Sequence, residues 1–457
     1  MKKQEYENLL NIALSTGADF AELYYEESYS KSYNFSDSKL DGIKTSNKNG
    51  IGIRIVKGEE YYYASTNDLE YNNLVKTITD LAKNINDKQI NSCRLDDLIT
   101  KKHEIIIKHN EFPAYKKKEI LREINNKIRC TYQEVTQVIL RFIEEYKNFT
   151  IANSKGFFVN SDSIHTRYVA VIYTENGDIK RDEHYTYGEA TGYEFLDNFN
   201  IEEESLKTAK KAVEKLESVD FKGGEYPVII APGFGAVIFH EACGHGLEAT
   251  SVAPKLSIFS DLIGKKIGSE KVTLIDDGTL GNVWGSNIID DEGQPTKRNI
   301  LIENGILKNY LIDDFSSIKM NMKSNGCGRR EDYNYAPTSR MSNTYLAPGK
   351  DKIEDMFKSI KLGVYCEKLS GGTVNTATGD FNFAVDTAYL IENGQKTKLL
   401  NGVTLIGNGK DILNNVEMVS DDLVMADGYC GSKSGMVHVT TGQPTIKISK
   451  ILVGGKE

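Results

Sequence analysis

Two histidines and a glutamate in one short stretch are the residues of this chain most clearly suited to chemistry. The stretch reads VIFHEACGHGLE, from Val237 to Glu248, and contains His240, Glu241 and His245. Imidazole nitrogens are common zinc ligands, and a carboxylate beside a metal can accept a proton from water. These residue types indicate metal-assisted hydrolysis, provided that the backbone brings both imidazoles to one ion.

The spacing of the histidines differs from that of the familiar H-E-x-x-H zinc helix. His240 and His245 are five residues apart, which on an ideal α-helix separates them by about 140°. A single π-type widening would realign the two rings. Ending the helix at Gly244 would do the same, because glycine leaves helical geometry at low cost. The alternative interpretation is two partly buried histidines without a ligand role.

A zinc site needs a third protein ligand, and three residues are candidates. Cys243 lies inside the motif, but a regular helix would point it away from His240. His438 falls in the alternating stretch GMVHVTT, where an ordinary strand histidine is the simpler explanation. Cys430 lies in DGYCGSKSG, a glycine-flanked stretch from which a thiolate could approach a metal. The residues alone do not rank these three candidates.

Three arginines form a further feature of the C-terminal half. Arg329, Arg330 and Arg340 could clamp a peptide carboxylate. The favoured interpretation is ordinary salt bridging with Glu331, Asp332 or other acidic residues.

Composition and charge exclude several classes of protein. The chain has 457 residues, 39% of them hydrophobic, and a formal net charge of -9. This acidic balance disfavours a broad nucleic-acid surface, so no direct nucleic-acid contact is expected. The N-terminus lacks the apolar core of a signal peptide, and no run of about 18 apolar residues predicts a membrane span. Six scattered cysteines without C-x-x-C pairs indicate free thiols and a cytoplasmic protein.

The patterns along the chain predict an α+β fold with antiparallel sheets. Helices are predicted at residues 5–16, 69–87 and 115–130, with Asn67 or Asp68 capping the second. Hairpin turns are expected at Asn49-Gly50 and Asn176-Gly177. Beyond residue 220 a strand, a glycine turn and the histidine helix precede many short strands. Five of the seven Asn-Gly pairs lie beyond residue 300, and LIENG occurs at 301–305 and 390–394, which predicts two similar hairpins.

This organisation suggests three domains. We expect an N-terminal α+β domain at residues 1–110, a middle α+β domain at 111–220 and a β-rich domain at 221–457 that carries the metal helix.

Five segments, in order along the chain, resemble the TldD/PmbA family of zinc metallopeptidases, also described as gyrase modulators. They are FHEACGHGLE, DDEGQPTKRNILIENGILKNYL (290–311), GRREDYNYAPTSRMSNTYLAPG (328–349), TGDFNF (378–383) and CGSKSGMVHVTTGQPTIKI (430–448). The N-terminal GIGIRIVKGEEYYYASTNDL resembles the first domain of the family. The resemblance covers nearly the whole chain.

The resemblance implies one Zn²⁺ per chain, held by His240, His245 and Cys430, with Glu241 as the general base. It thus favours Cys430 over Cys243 and implies a metal-bearing, TldD-type subunit. It further implies a homodimer, or a heterodimer with a related metal-free PmbA/TldE-type subunit, that cleaves small or unfolded peptides threaded as extended strands. Any role of Glu248 stays open.

The alternative hypothesis is a non-catalytic peptide-binding or regulatory protein in which zinc only braces the fold. Glu241 distinguishes the two hypotheses, because a purely structural site does not need a carboxylate next to its first histidine.

Overall fold

One long, mostly antiparallel sheet extends through the first half of the chain. The computed structural model describes residues 1–36, 38–87 and 91–456. The strands of this sheet are β1 (Phe20–Ser36), β2 (Lys39–Lys57), β3 (Glu60–Thr66), β4 (Ile99–Lys101), β5 (Val135–Asn153), β6 (Phe158–Asn176) and β7 (Ile179–Glu189). Their order is β3-β2-β1-β5-β6-β4, and β7 pairs with β6. Because β1 pairs with β5, the sheet is continuous between the segments expected to form the first two domains.

Helices cover this sheet in two groups. They are α1 (Lys3–Leu14), α2 (Tyr71–Ala82), α3 (Ala114–Thr131), α4 (Phe195–Asn198) and α5 (Ile201–Glu214). The first two bury apolar residues such as Leu10 and Ile78 in one core, and α3 and α5 bury Leu121 and Ala209 in another. The three predicted helices are confirmed. The N-cap of α2 is Glu70, whose side chain accepts a hydrogen bond from the Asn73 N–H, rather than Asn67 or Asp68.

One of the two hairpin predictions for this region is wrong. Asn49 and Gly50 lie inside β2, where Gly50 pairs with Glu26 of β1. A Cβ atom at position 50 would lie 2.4 Å from Cε2 of Tyr333, so this glycine allows a close contact instead of a turn. The Asn176-Gly177 prediction is confirmed, since Gly177 has a φ of +60° between β6 and β7.

The C-terminal half contains most of the strands. Its helices are α6 (Val237–Phe239), α7 (Ala249–Val252), α8 (Asp314–Met320), α9 (Ile353–Lys358) and α10 (Gly409–Asn415). Its strands are β8 (Val219–Asp220), β9 (Gly224–Ile230), β10 (Leu274–Asp277), β11 (Arg298–Glu303), β12 (Ile306–Leu307), β13 (Gly328–Arg329), β14 (Thr338–Ser339), β15 (Asn343–Leu346), β16 (Leu362–Val374), β17 (Asp380–Glu392), β18 (Gln395–Asn401), β19 (Thr404–Asn408), β20 (Val416–Val419), β21 (Val424–Ser432), β22 (Gly435–Gln443) and β23 (Ile446–Gly454).

These strands form two main sheets. The first has the order β12-β11-β10-β15-β22-β21. The second has the order β16-β9-β23-β19-β17-β18-β8, with β20 also paired to β23. The two LIENG segments each end in a tight hairpin, because Asn304-Gly305 and Asn393-Gly394 all have positive φ. The α+β prediction is confirmed, as is the pair of similar hairpins.

A buried ion network joins the sheet of the first half to the C-terminal half. Arg54 Nη2 lies 2.8 Å from Glu22 Oε2 and 2.7 Å from Glu292 Oε1. Arg330 Nη2 lies 2.6 Å from Glu22 Oε1. All four side chains are at most 2% exposed. Since an unpaired buried charge is costly, this network fixes how the two halves pack. Within the described residues, no helix is both long enough and apolar enough to cross a bilayer.

Candidate metal centre

The segment that carries both histidines is helical but not a regular α-helix. Strand β9 ends at a turn in which Gly233 has a φ of +85°. A 3-10 turn and α6 follow, and residues His240–Gly244 then form a π-helical segment. The N–H of His245 donates to the carbonyl of His240, five residues back. This wider turn places residues i and i+5 on one face.

The wide turn brings the two imidazoles together. Their ring centroids are 5.1 Å apart, with the planes at 87°. Gly244 stays helical, with φ -54° and ψ -54°. A Cβ atom there would lie 2.1 Å from Sδ of Met341. Of the two routes that the sequence allowed, π-type widening is the one observed, and Gly244 serves close packing rather than helix termination.

A thiol from a distant strand completes a group of three donor atoms. Cys430 lies on β21, where it pairs with Val437 of β22. Its Sγ atom is 3.4 Å from Nε2 of His240 and 3.2 Å from Nε2 of His245. The potential ligand atoms of these three residues all lie within 4.8 Å of one another. Two imidazole nitrogens and one sulfur in this arrangement could hold a metal ion.

The other two candidate ligands lie in different surroundings. Cys243 is fully buried in the hydrophobic core of the C-terminal half. His438 Nε2 lies 2.7 Å from Oε2 of Glu145, and its ring stacks on that of His165 at a centroid distance of 3.6 Å. Neither belongs to the group formed by His240, His245 and Cys430.

The electrostatics of this group favour a thiolate. Burial by itself would raise the pKa of the Cys430 thiol, but the two neighbouring imidazoles outweigh burial and lower that pKa to about 4. Burial lowers the pKa of His245, but Glu248 and Cys430 outweigh it and hold that pKa well above the usual value. A metal binds the thiolate form of cysteine, so the sulfur is already in the state that a metal requires.

Two carboxylates flank His245. Glu241 Oε2 lies 3.8 Å from Nε2 of His245, on the side of the donor atoms. Glu248 Oε2 lies 3.0 Å from Nδ1 of the same ring, and its side chain is buried. Glu241 can therefore reach a water molecule at the donor atoms, whereas Glu248 holds the far side of the imidazole.

The three arginines singled out in the sequence are all buried and hold the backbone. Arg340 donates to the carbonyl of Cys430 at 2.5 Å and to the carbonyl of Gly435 at 2.9 Å. Arg329 donates to two carbonyls, and Arg330 pairs with Glu22. The predicted salt bridging is observed with other acids, since Arg330 pairs with Glu22 and Arg340 Nε lies 3.9 Å from Glu248. Glu331 and Asp332 pair instead with Lys48. No sequence signal connects Arg340 to Cys430, since 90 residues separate them.

A cavity of about 720 Å³ opens beside His240 and Glu241. Residues of β7 line one side and residues of β21 line the other. Each of these strands lies at an end of its sheet. Asp427 connects the two sides, with Arg167 Nε 2.6 Å and Thr186 Oγ1 3.3 Å from its carboxylate. Two edge strands therefore line the cavity, which extends to His240 and Glu241.

A second group with ligand-like atoms is occupied by lysines. Glu183, His184 and Asp386 lie close together, and the first two line the cavity. Lys215 Nζ lies 2.7 Å from Glu183 and 2.9 Å from Asp386, and Lys368 also contacts both carboxylates. Two ammonium groups neutralise this pair, so the group is an ion network and not a metal site.

Comparison with known proteins places the chain in a family. Residues 21–85, 107–218 and 223–455 match, respectively, the models for domain 1, the central domain and the C-terminal domain of PmbA/TldA metallopeptidases. The metalloprotease TldD homologue of Buchnera aphidicola (Acyrthosiphon pisum) is 34% identical over 96% of this chain and 93% of its own. The TldD homologue of Haemophilus influenzae is 31% identical, over 98% of this chain and 95% of its own.

Solved structures share the fold. TldE from Thermococcus kodakarensis superposes with a TM-score of 0.76 at 21% identity, over 99% of this chain and 100% of its own. A proposed modulator of DNA gyrase from Thermotoga maritima gives a TM-score of 0.80 at 19% identity, over 99% of both chains. The matched models and the near-full-length relatives agree, and the chain belongs to the PmbA/TldD family of metallopeptidases.

Proposed function

We propose that this chain is a zinc-dependent peptidase that hydrolyses small or unfolded peptides. The observation that carries the proposal is the position of Glu241, whose carboxylate lies beside the donor atoms of His240, His245 and Cys430 and lines the adjoining cavity. A relative from Saccharolobus solfataricus, 27% identical over 96% of this chain, is named a zinc metalloprotease.

The donor set fits zinc. Zinc accepts imidazole nitrogen and thiolate sulfur, and a catalytic site has three protein ligands and one open position. The lowered pKa of Cys430 makes a thiolate available at neutral pH. The chemistry that zinc supplies when bound is Lewis acidity, which polarises a carbonyl and lowers the pKa of water.

The residues of the chain would then divide the work of hydrolysis. Glu241 accepts a proton from the attacking water and passes it to the leaving amine. Glu248 holds His245 through its Nδ1 atom. Arg340 holds the backbone of Cys430. The chain thus provides the proton acceptor and keeps the donor atoms in place.

The cavity suits an extended peptide. Strands β7 and β21 are both edge strands, and such edges bind a peptide through main-chain hydrogen bonds with little demand on its sequence. We propose that the substrate lies along one of these edges as an added strand. We further propose that the active protein is a dimer, formed by two copies or with a metal-free relative of the TldE type, and that this dimer encloses the cleft.

The test measures bound zinc and hydrolysis of an unfolded peptide for the wild type, Glu241→Gln and the control Glu225→Gln. Glu225 is exposed on β9 and pairs with Lys450. We expect Glu241→Gln to retain zinc and to lose activity by about 100-fold to 10,000-fold, while the control keeps both. Full activity in Glu241→Gln would refute the mechanism. A wild type that binds zinc but cleaves no peptide, even with a partner chain supplied, would favour the non-catalytic alternative.

A further inference from the structure

The part of the cavity next to the donor atoms has an unusual floor. Successive residues of a strand point to opposite faces, so Val424, Ala426 and Gly428 share a face of β21 with Cys430. Gly428 and Ala426 are the two smallest residue types. Gly428 pairs with Val439 of β22, and Ala426 pairs with Thr441 of the same strand. The small residues at positions 428 and 426 therefore leave space above β21 next to Cys430.

The walls of this space are apolar. Phe234 and Val237 come from the helical segment that leads into His240, and both line the cavity. Val439 lines it from β22. A Cβ atom at Gly428 would lie 3.8 Å from Cε2 of Phe234 and 3.9 Å from the carbonyl of Val439. We call the space above Gly428 and Ala426, between Phe234, Val237 and Val439, the trough.

Apart from Glu241, the charged residues that line the cavity are already paired. Arg167 pairs with Asp427, and Lys211 pairs with Glu367. Thr441 also lines the cavity, and its buried hydroxyl has no hydrogen-bond partner among the described residues. A ligand side chain in the trough would meet apolar walls and one hydroxyl with free hydrogen-bonding capacity.

We propose that the trough is the specificity site of the peptidase and takes an aliphatic or aromatic side chain of the substrate residue next to the scissile bond. This inference rests on the proposed function. An apolar side chain gains by leaving water for such walls, whereas a charged one would lose its hydration without finding a free partner. Main-chain pairing with the sheet edges selects no sequence, so the trough would supply the selectivity.

Binding to an inactive protein tests the trough separately from catalysis. The probes are dye-labelled hexapeptides of alanine and serine with one variable residue, which is Leu, Phe, Ala, Asp or Lys. Their dissociation constants are measured by fluorescence anisotropy with the zinc-loaded, full-length Glu241→Gln protein. We expect the Leu and Phe peptides to bind at least about tenfold more tightly than the Asp and Lys peptides. Equal binding of the Leu and Asp peptides would overturn the proposal.

A substitution at Gly428 tests whether the preference for the Leu peptide arises in the trough. Gly428 does not have a positive φ, so valine fits the strand while filling the trough. In the Glu241→Gln background, Gly428→Val should reduce the Leu preference to about threefold or less. Gly371→Val is the matched control, because Gly371 is an exposed strand residue outside the cavity with nothing within 4 Å of its Cβ position. An unchanged Leu preference in Gly428→Val would overturn the proposal.

Two further results separate the possible failures. Gly428→Ala adds a single methyl group and should give an intermediate preference, so the series stays informative if the valine variant does not fold. Wild-type cleavage of the same peptides reports on the proposed function. If the Leu peptide binds with the expected preference but is not cleaved, the trough stands and the peptidase proposal fails.

Discussion

The carboxylate of Glu248 lies 3.0 Å from Nδ1 of His245, on the opposite side of the ring from the Nε2 atom that faces Cys430. A carboxylate in this place accepts the Nδ1 hydrogen, so Nε2 is the nitrogen that would bind a metal after losing its own proton. Such partners orient metal-binding histidines and raise their basicity. Glu248 is therefore a positioning residue for the candidate metal centre.

Removing this carboxylate should weaken the binding of zinc without abolishing it. We expect Glu248→Ala to lower zinc affinity by about 10-fold to 100-fold, measured by competition with a chromophoric chelator. Glu248→Gln should recover part of the loss, because its amide oxygen can accept the same hydrogen bond without the charge. Wild-type affinity in Glu248→Ala would show that the ring needs no such support.

Cys430 and Cys243 provide a matched pair of cysteine variants. Cys430→Ser should lose stoichiometric zinc, measured by elemental analysis after dialysis, because a hydroxyl replaces the thiolate donor. Cys243→Ala should retain zinc and lose only about 1 kcal/mol of stability, since that side chain only fills the core. The opposite pattern would identify Cys243, and not Cys430, as the third ligand.

Breaking the buried ion network should destabilise the protein strongly. Arg54→Met leaves Glu22 and Glu292 without one cationic partner, which should lower the free energy of unfolding by about 3–5 kcal/mol. Lys48→Met is the control, because Lys48 is 40% exposed where it pairs with Glu331 and Asp332, and it should cost less than about 1 kcal/mol. Urea denaturation measures both, and equal costs would contradict the assigned role of the network.

A buried histidine away from the candidate metal centre should make stability fall in mild acid. Burial, aided by Lys117, lowers the pKa of His109 to about 4. The unfolded chain takes up this proton near pH 6.5 and the folded chain does so only near pH 4, so stability is lost as pH falls between these values. At pH 5 the contribution is about 2 kcal/mol relative to neutral pH.

The variant His109→Gln isolates this contribution. Urea denaturation at pH 7 and pH 5 gives the free energy of unfolding at each pH. From pH 7 to pH 5 this free energy should decrease by about 2 kcal/mol less in the variant than in the wild type. Glutamine can still bond to Thr166, which lies 2.8 Å from Nε2 of His109. Equal losses in the two proteins would assign the acid sensitivity to other groups.

The local parts of the candidate site could be predicted from the sequence. The residues His240, Glu241 and His245 fall within six consecutive residues, and the need for a wider turn follows from helix geometry alone. Glu248 could also have been assigned, because residues three apart on a helical segment are neighbours. These features depend only on the geometry of residues that are close together in the sequence.

The contacts between distant segments could not be predicted in this way. Cys430 is 185 residues from His245, and only the family resemblance distinguished it from His438 and Cys243. The predicted turn at Asn49-Gly50 is wrong for a related reason. The ring of Tyr333 lies against Gly50, and this distant contact outweighs the local turn preference of the pair.

The pairing of β21 with β22 has a consequence for the maturation of the protein. A slip of one residue in a hairpin exchanges the two faces of a strand, so it would present Tyr429 instead of Cys430 to the histidines. The register is set at a two-residue turn that ends at Gly435, where φ is +81° and a Cβ atom would lie 2.5 Å from Cβ of Glu331. If Cys430 is a metal ligand as proposed, a larger residue at Gly435 should reduce metal binding, although that position contributes no donor atom.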